Sequence, residues 1–121
     1  MPTQSVEELT HKKCAPCEGG VRPYPQAEAV EQLKSLAGWQ LTPDSKRIRK
    51  DWVAKDFAAG IKFFDAVGQL AETEDHHPDL HLEGYRKVWI ELSTHAIGGL
   101  SENDFILAAK IDQVPIELRK K

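Results

Sequence analysis

The sequence predicts an α+β domain: a four-stranded antiparallel sheet with three helices packed on one face, in the order αββαββα. Three observations lead there. Apolar residues recur at helical spacing in three stretches, around residues 27–37, 55–73 and 101–112. Between those stretches lie two pairs of shorter runs with the character of half-buried strands. Turn-forming residues separate the members of the first pair, which reads as a hairpin.

Taken in order, residues 1–25 contain Pro2, Pro16, Gly19, Gly20, Pro23 and Pro25 with little periodicity, and read as an irregular arm lying across the domain or partly mobile. Residues 26–121 read as the single domain. Ala29, Val30, Leu33, Leu36 and Ala37 share a helix face that Gly38 ends. Runs at 39–41 and 47–53 flank T-P-D-S at 42–45, and Ile48 and Trp52 alternate with charged neighbours. The long helix at 55–73 carries Phe57, Ile61, Phe64 and Ala71 on one stripe, widened by Phe63, Val67 and Leu70. So broad a face predicts burial against the sheet and against another subunit. Pro78 denies helical geometry to His77, so that helix ends near the histidine pair. A short strand at 80–82 and a longer one at 85–94 follow, the latter alternating Val88, Ile90 and Leu92 with Lys87, Trp89 and Glu91. S-E-N-D at 101–104 is a capping box with Asp in place of Glu, and it opens a helix that stops near Pro115.

Bulk properties narrow the function. A chain of 121 residues is one domain with a core of its own. The net charge of −3 argues against nucleic acid as a direct partner. The basic clusters at 46–50 and 119–121 are short and read as solvated surface. No apolar run reaches the roughly 18 residues of a membrane span. The opening M-P-T-Q-S-V-E-E is no secretory signal, so a cytoplasmic protein with reduced thiols is expected.

Chemistry concentrates between Glu72 and Asp104, which enclose His76, His77 and His95. Histidine titrates near neutral pH and can both give and take protons. One reading is plain: a solvated H-H-P at a helix end, favoured by the helix dipole, with Asp104 a simple cap. A sharper reading brings the three together. Glu72 and His76, four apart, share a helix face if the helix continues that far. The tight G-G-L return after His95 carries Asp104 back towards it. Carboxylates there would fix imidazole tautomers, and the pocket would hold one acid and one base. Zinc at His76/His77/His95 is disfavoured, since Pro78 keeps His77 and His81 off a common helical face. His11-x-x-Cys14-x-x-Cys17 has metal-like spacing, but a lone C-x-x-C in a Pro/Gly-rich arm reads as an inert reduced pair. Neither a nucleophile elbow nor a phosphate-cradling loop is present.

These residues, with their surroundings, resemble the pterin-4a-carbinolamine dehydratases. The likeness covers G-W at 38–39, K-D-F at 55–57, A-E at 71–72, H-H-P at 76–78, Tyr85, S-T-H at 93–95 and G-L-S-x-x-D at 99–104, within residues 27–118. Six residues separate Pro78 from Tyr85, one more than in animal members, and the arm with Cys14 and Cys17 lies outside the shared core. The resemblance implies the fold given above and self-association into a homodimer or homotetramer. It also implies dehydration of 4a-hydroxytetrahydropterin to quinonoid dihydropterin, in the recycling of tetrahydrobiopterin, with no metal or organic cofactor. On this reading His76, His77 and His95 serve as acid, base and substrate-orienting groups. Asp104 orients His95, and Glu72, Pro78 and Thr94 complete the substrate-binding surroundings. The alternative is a partner-binding or assembly module on the same fold, alone or beside catalysis. An animal dehydratase also stabilises the dimer of a homeodomain transcription factor, and a degenerate relative helps to assemble RuBisCO. The intact histidines favour the enzyme.

Overall fold

The computed structural model describes residues 3–15 and 22–120. Its elements are α1 (Val6–Thr10), α2 (Gln26–Leu33), β1 (Gln40–Leu41), β2 (Ile48–Val53), α3 (Phe57–Glu74), β3 (Asp79–Glu83), β4 (Lys87–Leu92), a single 3-10 turn (His95–Ile97) and α4 (Glu102–Ile111). The four strands form one antiparallel sheet in the order β1-β2-β4-β3, so the predicted α+β architecture is the observed one.

Register explains the two faces of the sheet. Ile48 pairs with Leu92, Lys50 with Ile90, and Trp52 with Val88; Leu80 and Leu82 of β3 extend the same face. This face meets the helices, and Ile48, Val88, Ile90 and Leu92 are fully buried in the core with Phe63, Val67, Phe105 and Ile111. The opposite face is polar. Arg47 bonds Asp79 and Glu91, Arg49 bonds Asp51, and the Arg49 guanidinium lies 4.6 Å from the centre of the Trp89 ring. The His81 ring stacks on Trp89 at 4.8 Å.

Helix α3 begins at the Asp56 cap, whose carboxylate accepts the Ala59 N–H. Its buried line is Ala59, Phe63, Val67 and Ala71, with Gly60 beside it. A side chain at Gly60 would meet Leu82 and Val88 at 3.3 Å, so the helix approaches the sheet closely there. Phe57 and Ile61, part of the broad apolar face read from the sequence, are 51% and 47% exposed. The helix is apolar over two adjoining faces, and periodicity alone does not say which one meets the sheet.

Helix α4 decides the rest. Its run F-I-L-A-A at 105–109, together with Ile111, is buried without interruption, so the helix has no solvent face along that run and must be covered all round. Part of the cover comes from residues 3–15. The stretch expected to be irregular contains helix α1, started by a reciprocal capping box between Ser5 and Glu8. Leu9 on this helix is fully buried in the core. Gln4 fixes the entry: its N–H donates to Gln32 Oε1 at 2.9 Å, its carbonyl accepts from Gln32 Nε2, and its side chain donates to Glu102 at 2.7 Å. The S-x-x-E spacing of Ser5 and Glu8 is the local signal for this helix, and the expectation of an irregular arm takes no account of it.

One buried ionic knot ties α3 to α4 and to the N-terminal segment. Glu74 Oε2 accepts from Lys110 Nζ at 2.8 Å and its Oε1 accepts the Cys14 N–H at 2.9 Å. Burial pushes the Glu74 carboxyl upward, but the bonds from Lys110 and Cys14 outweigh it and hold the group below the ordinary carboxylate value. Burial first, and the Glu74 charge second, push the Cys14 thiol up to about 12, so it is neutral and unreactive at physiological pH. Cys17 lies outside the described residues.

Two outcomes follow from the packing. Leu9→Ala should cost about 2–4 kcal/mol in urea unfolding, as deletion of a buried leucine does; a change under about 0.5 kcal/mol would mean that α1 does not belong to the core. Because the folded Glu74 carboxyl is depressed, its stabilisation is complete above the unfolded range of about 4.3 and fades as pH falls through the folded value. Thermal melts of Glu74→Gln should therefore lie furthest below the parent at neutral pH and converge with it on acidification below about pH 4. A gap constant with pH would contradict the ionic knot.

Candidate active site

The site forms where three chain reversals meet. Helix α3 stops at a left-handed residue, Asp75 (φ 52°). His76 N–H reaches back to the Ala71 carbonyl at 3.2 Å and Asp75 N–H to that of Glu72 at 3.3 Å, which is the bonding of a Schellman stop. The chain thereby leaves the helix axis before His76, and Pro78 then sends it into β3. Beyond β4, Thr94 N–H bonds the Gly99 carbonyl at 2.8 Å and pinches off the turn that His95 begins. Gly98 closes this turn at φ 63°, where a side chain would be strained. The third reversal is the N-terminus of α4, capped by Ser101.

Asp104 sits in the first turn of α4 with no solvent exposure. A carboxylate there needs donors on both oxygens. Oδ2 accepts the Ser101 N–H at 2.9 Å and the Thr94 hydroxyl at 2.8 Å. Oδ1 lies 2.7 Å from His76 Nε2. Since Thr94 spends its single proton on Asp104, the 2.7 Å contact between the Thr94 and Ser101 hydroxyls has Ser101 as donor. Ser101 Oγ in turn accepts the Asn103 N–H. A directed chain of bonds thus ends on the carboxylate that faces His76. An ionised Asp104 only accepts, so Nε2 of His76 carries the proton and Nδ1 remains for other work.

His77, more exposed, has its Nε2 2.6 Å from Glu72 Oε2. His95 is exposed at the head of its turn. All three histidines line one cavity of about 390 Å³, together with Thr94, Asn103 and Ala15. A second hollow of about 330 Å³ lies beyond Thr94 and His95 and is lined by Asp44, Lys46 and Arg47.

The convergence expected of His76, His77, His95 and Thr94 is therefore observed, but two pairings differ from expectation. Asp104 holds His76 rather than His95, and Glu72 meets His77 rather than His76. The cause is the Schellman stop, which removes His76 from the helical face it would share with Glu72 and turns it towards α4. The hydroxyl of Thr94 is committed to Asp104 and Ser101, and Thr94 is 3% exposed. Pro78 shapes the chain and does not line the cavity. Tyr85 stands at the β3–β4 turn, at the far end of β4 from Thr94, with Arg86 against its ring. Among the described residues no three His, Cys, Asp or Glu side chains form a group able to hold a metal ion. Sequence reasoning missed Asn103, Ala15 and Glu74. The first is hidden inside the capping box, and nothing local marks the other two.

Comparison with known proteins places this geometry in a family. The model of the family described as Pterin 4 alpha carbinolamine dehydratase matches residues 22–114. A protein of Arabidopsis thaliana named "Pterin-4-alpha-carbinolamine dehydratase 2, mitochondrial" is 48% identical over 97% of this chain, which spans 65% of that protein's length. The crystal structure titled as a transcriptional coactivator/pterin dehydratase from Brucella melitensis is 30% identical and superposes with a TM-score of 0.71, covering 77% of this chain and 98% of its own. A pterin dehydratase-like protein described as a RuBisCO assembly factor in the alpha-carboxysome shares the fold, at 24% identity and a TM-score of 0.54 over 64% of this chain and 88% of that one. The chain belongs to the pterin 4 alpha carbinolamine dehydratase family.

Proposed function

We propose that this chain is a hydro-lyase that dehydrates 4a-hydroxytetrahydropterin to quinonoid dihydropterin. The observation that carries the reading is the convergence of three imidazoles from two separate chain segments on one cavity, with one of them held by a buried carboxylate. Family membership supports the same reaction.

The chemistry asks for two proton transfers. The C4a–O bond breaks, and the departing hydroxide must be protonated to leave as water. The N5 lone pair forms the C4a=N5 double bond, and the N5 proton goes to a base. Each assisted transfer contributes typically about 10²–10⁴-fold. His76 and His95 stand on different segments of the cavity wall and divide these transfers. Asp104 fixes the ring and tautomer of His76, and Thr94 with Ser101 fixes Asp104. His77, steadied by Glu72 nearer the solvent, orients the heterocycle. Thr94 thus acts by positioning, and Pro78 by setting the direction of His77. An intact set of acid–base groups favours catalysis over a purely partner-binding role.

The chain is further proposed to work as a homodimer or homotetramer, for which Phe57 and Ile61 on the outer side of α3 and the edge strand β3 offer the surface. A cytoplasmic site is proposed with it. No helix among the described residues is long and apolar enough to cross a membrane. Light scattering giving a monomer of 13.6 kDa, or fractionation into an organelle, would overturn these two statements.

A stopped-flow assay of carbinolamine collapse tests the main reading. Turnover should follow a bell-shaped pH profile with both limbs between about pH 5 and 9. His95→Ala should lower kcat by about 10²-fold or more while melting like the parent, and His76→Ala should lower kcat at least as far while melting lower, since it strands the buried Asp104 carboxylate. A flat profile, or two variants as fast as the parent, would remove histidine acid–base catalysis.

A further inference from the structure

Resting on the dehydratase reading, we propose that Asn103 is a positioning residue that latches residues 12–15 of the N-terminal segment in place as a wall of the pterin cavity, and that this latch sets affinity for the substrate.

The central contact is two-handed. Asn103 Oδ1 accepts the Ala15 N–H at 3.0 Å, and Asn103 Nδ2 donates to the Ala15 carbonyl at 2.6 Å. One buried side chain therefore holds both backbone groups of a residue that is itself exposed. Ala15 lines the same cavity as His76, His77 and His95. The neighbouring residues fasten to the other side of the site: Cys14 N–H to Glu74 Oε1 at 2.9 Å, and Lys13 Nζ to the Thr73 carbonyl at 3.0 Å.

The anchors are placed where they matter. Thr73 and Glu74 come just before His76, and Asn103 comes just before Asp104. The segment thus spans the two stretches of chain that His76 and Asp104 join by their 2.7 Å bond. It closes the cavity on that side without supplying any proton donor or acceptor to the reaction, because both backbone groups of Ala15 are already taken. Its contribution is enclosure, which excludes water and orients a flat heterocycle, and enclosure acts on binding. Residues 3–15 lie outside the stretch 22–114 that the family model matches.

The experiment uses the full-length chain. Asn103→Ala removes both halves of the latch, and Ala15→Pro removes the N–H half from the exposed segment without altering α4. Affinity for 7,8-dihydropterin is measured by calorimetry, and KM and kcat by stopped flow. Loss of two amide hydrogen bonds should unlatch the segment and weaken both Kd and KM by about tenfold in Asn103→Ala, with kcat within about twofold of the parent. Ala15→Pro should show a smaller change in the same direction. Unchanged Kd and KM in both variants would overturn the latch. So would a lowered melting temperature with Kd and KM intact, since the segment would then serve stability alone. A parent that binds the dihydropterin but fails to turn over the carbinolamine would sink the dehydratase reading, while the Kd comparison still decides the latch.

Discussion

The architecture turns on a carboxylate that no water reaches. Placing the charge of Asp104 in the interior is unfavourable unless each oxygen finds donors, and the three donors come from three segments. Ser101 is local, three residues earlier in the same cap. Thr94 stands at the end of β4, and His76 at the end of α3. Satisfying Asp104 therefore requires a helix end, a strand end and a helix start to meet. The cavity is the space left beside that meeting point, which is why the histidines converge although 17 residues separate His77 from His95.

A second constraint lies behind the first. Helix α4 carries Asp104, and its apolar run must be enclosed on every side. Sheet and α3 enclose only part of it. The N-terminal segment supplies further cover through Leu9, and in doing so it is brought to the cavity, where Ala15 meets Asn103. Stability and site geometry thus share one cause: the helix that needs covering is the helix whose first turn holds the carboxylate that fixes His76.

The order of elements was legible because each carries a strong local signal, such as the alternation through Val88, Ile90 and Leu92 or the capping box at Ser101. The gathering of His76, His77 and His95 on one cavity was legible too, since Pro78 and the return after His95 reverse the chain on either side of it. Partner choice was not. Whether Glu72 meets His76 or His77 depends on one left-handed residue, Asp75, and an aspartate in that conformation leaves no unmistakable mark as a glycine would. Which part of the broad apolar face of α3 meets the sheet was not legible for a related reason: Phe57 and Ile61 are as apolar as Phe63 and Val67, and the approach at Gly60 distinguishes the two sides. The N-terminal segment was the hardest to see. Its anchors, Gln32, Glu74, Glu102 and Asn103, lie 28 to 98 residues away, beyond any local pattern.

On the proposed reaction the contrast between the imidazoles matters more than their number. His76 is locked: Nε2 is committed to Asp104, and the ring cannot rotate without stranding a buried charge. His95 stands on a pinched turn closed by Gly98. Elimination across C4a–N5 removes a hydroxyl from one atom and a proton from its neighbour, so the two groups that serve it must work at different positions on one small ring. A fixed imidazole on one segment and an accessible one on another meet that demand without a change in the fold during turnover. On that proposal the fixed group gives one transfer a set position, and the exposed group can exchange its proton with solvent between cycles. The asymmetry therefore follows from the burial of Asp104, which immobilises one histidine and leaves the other at the surface.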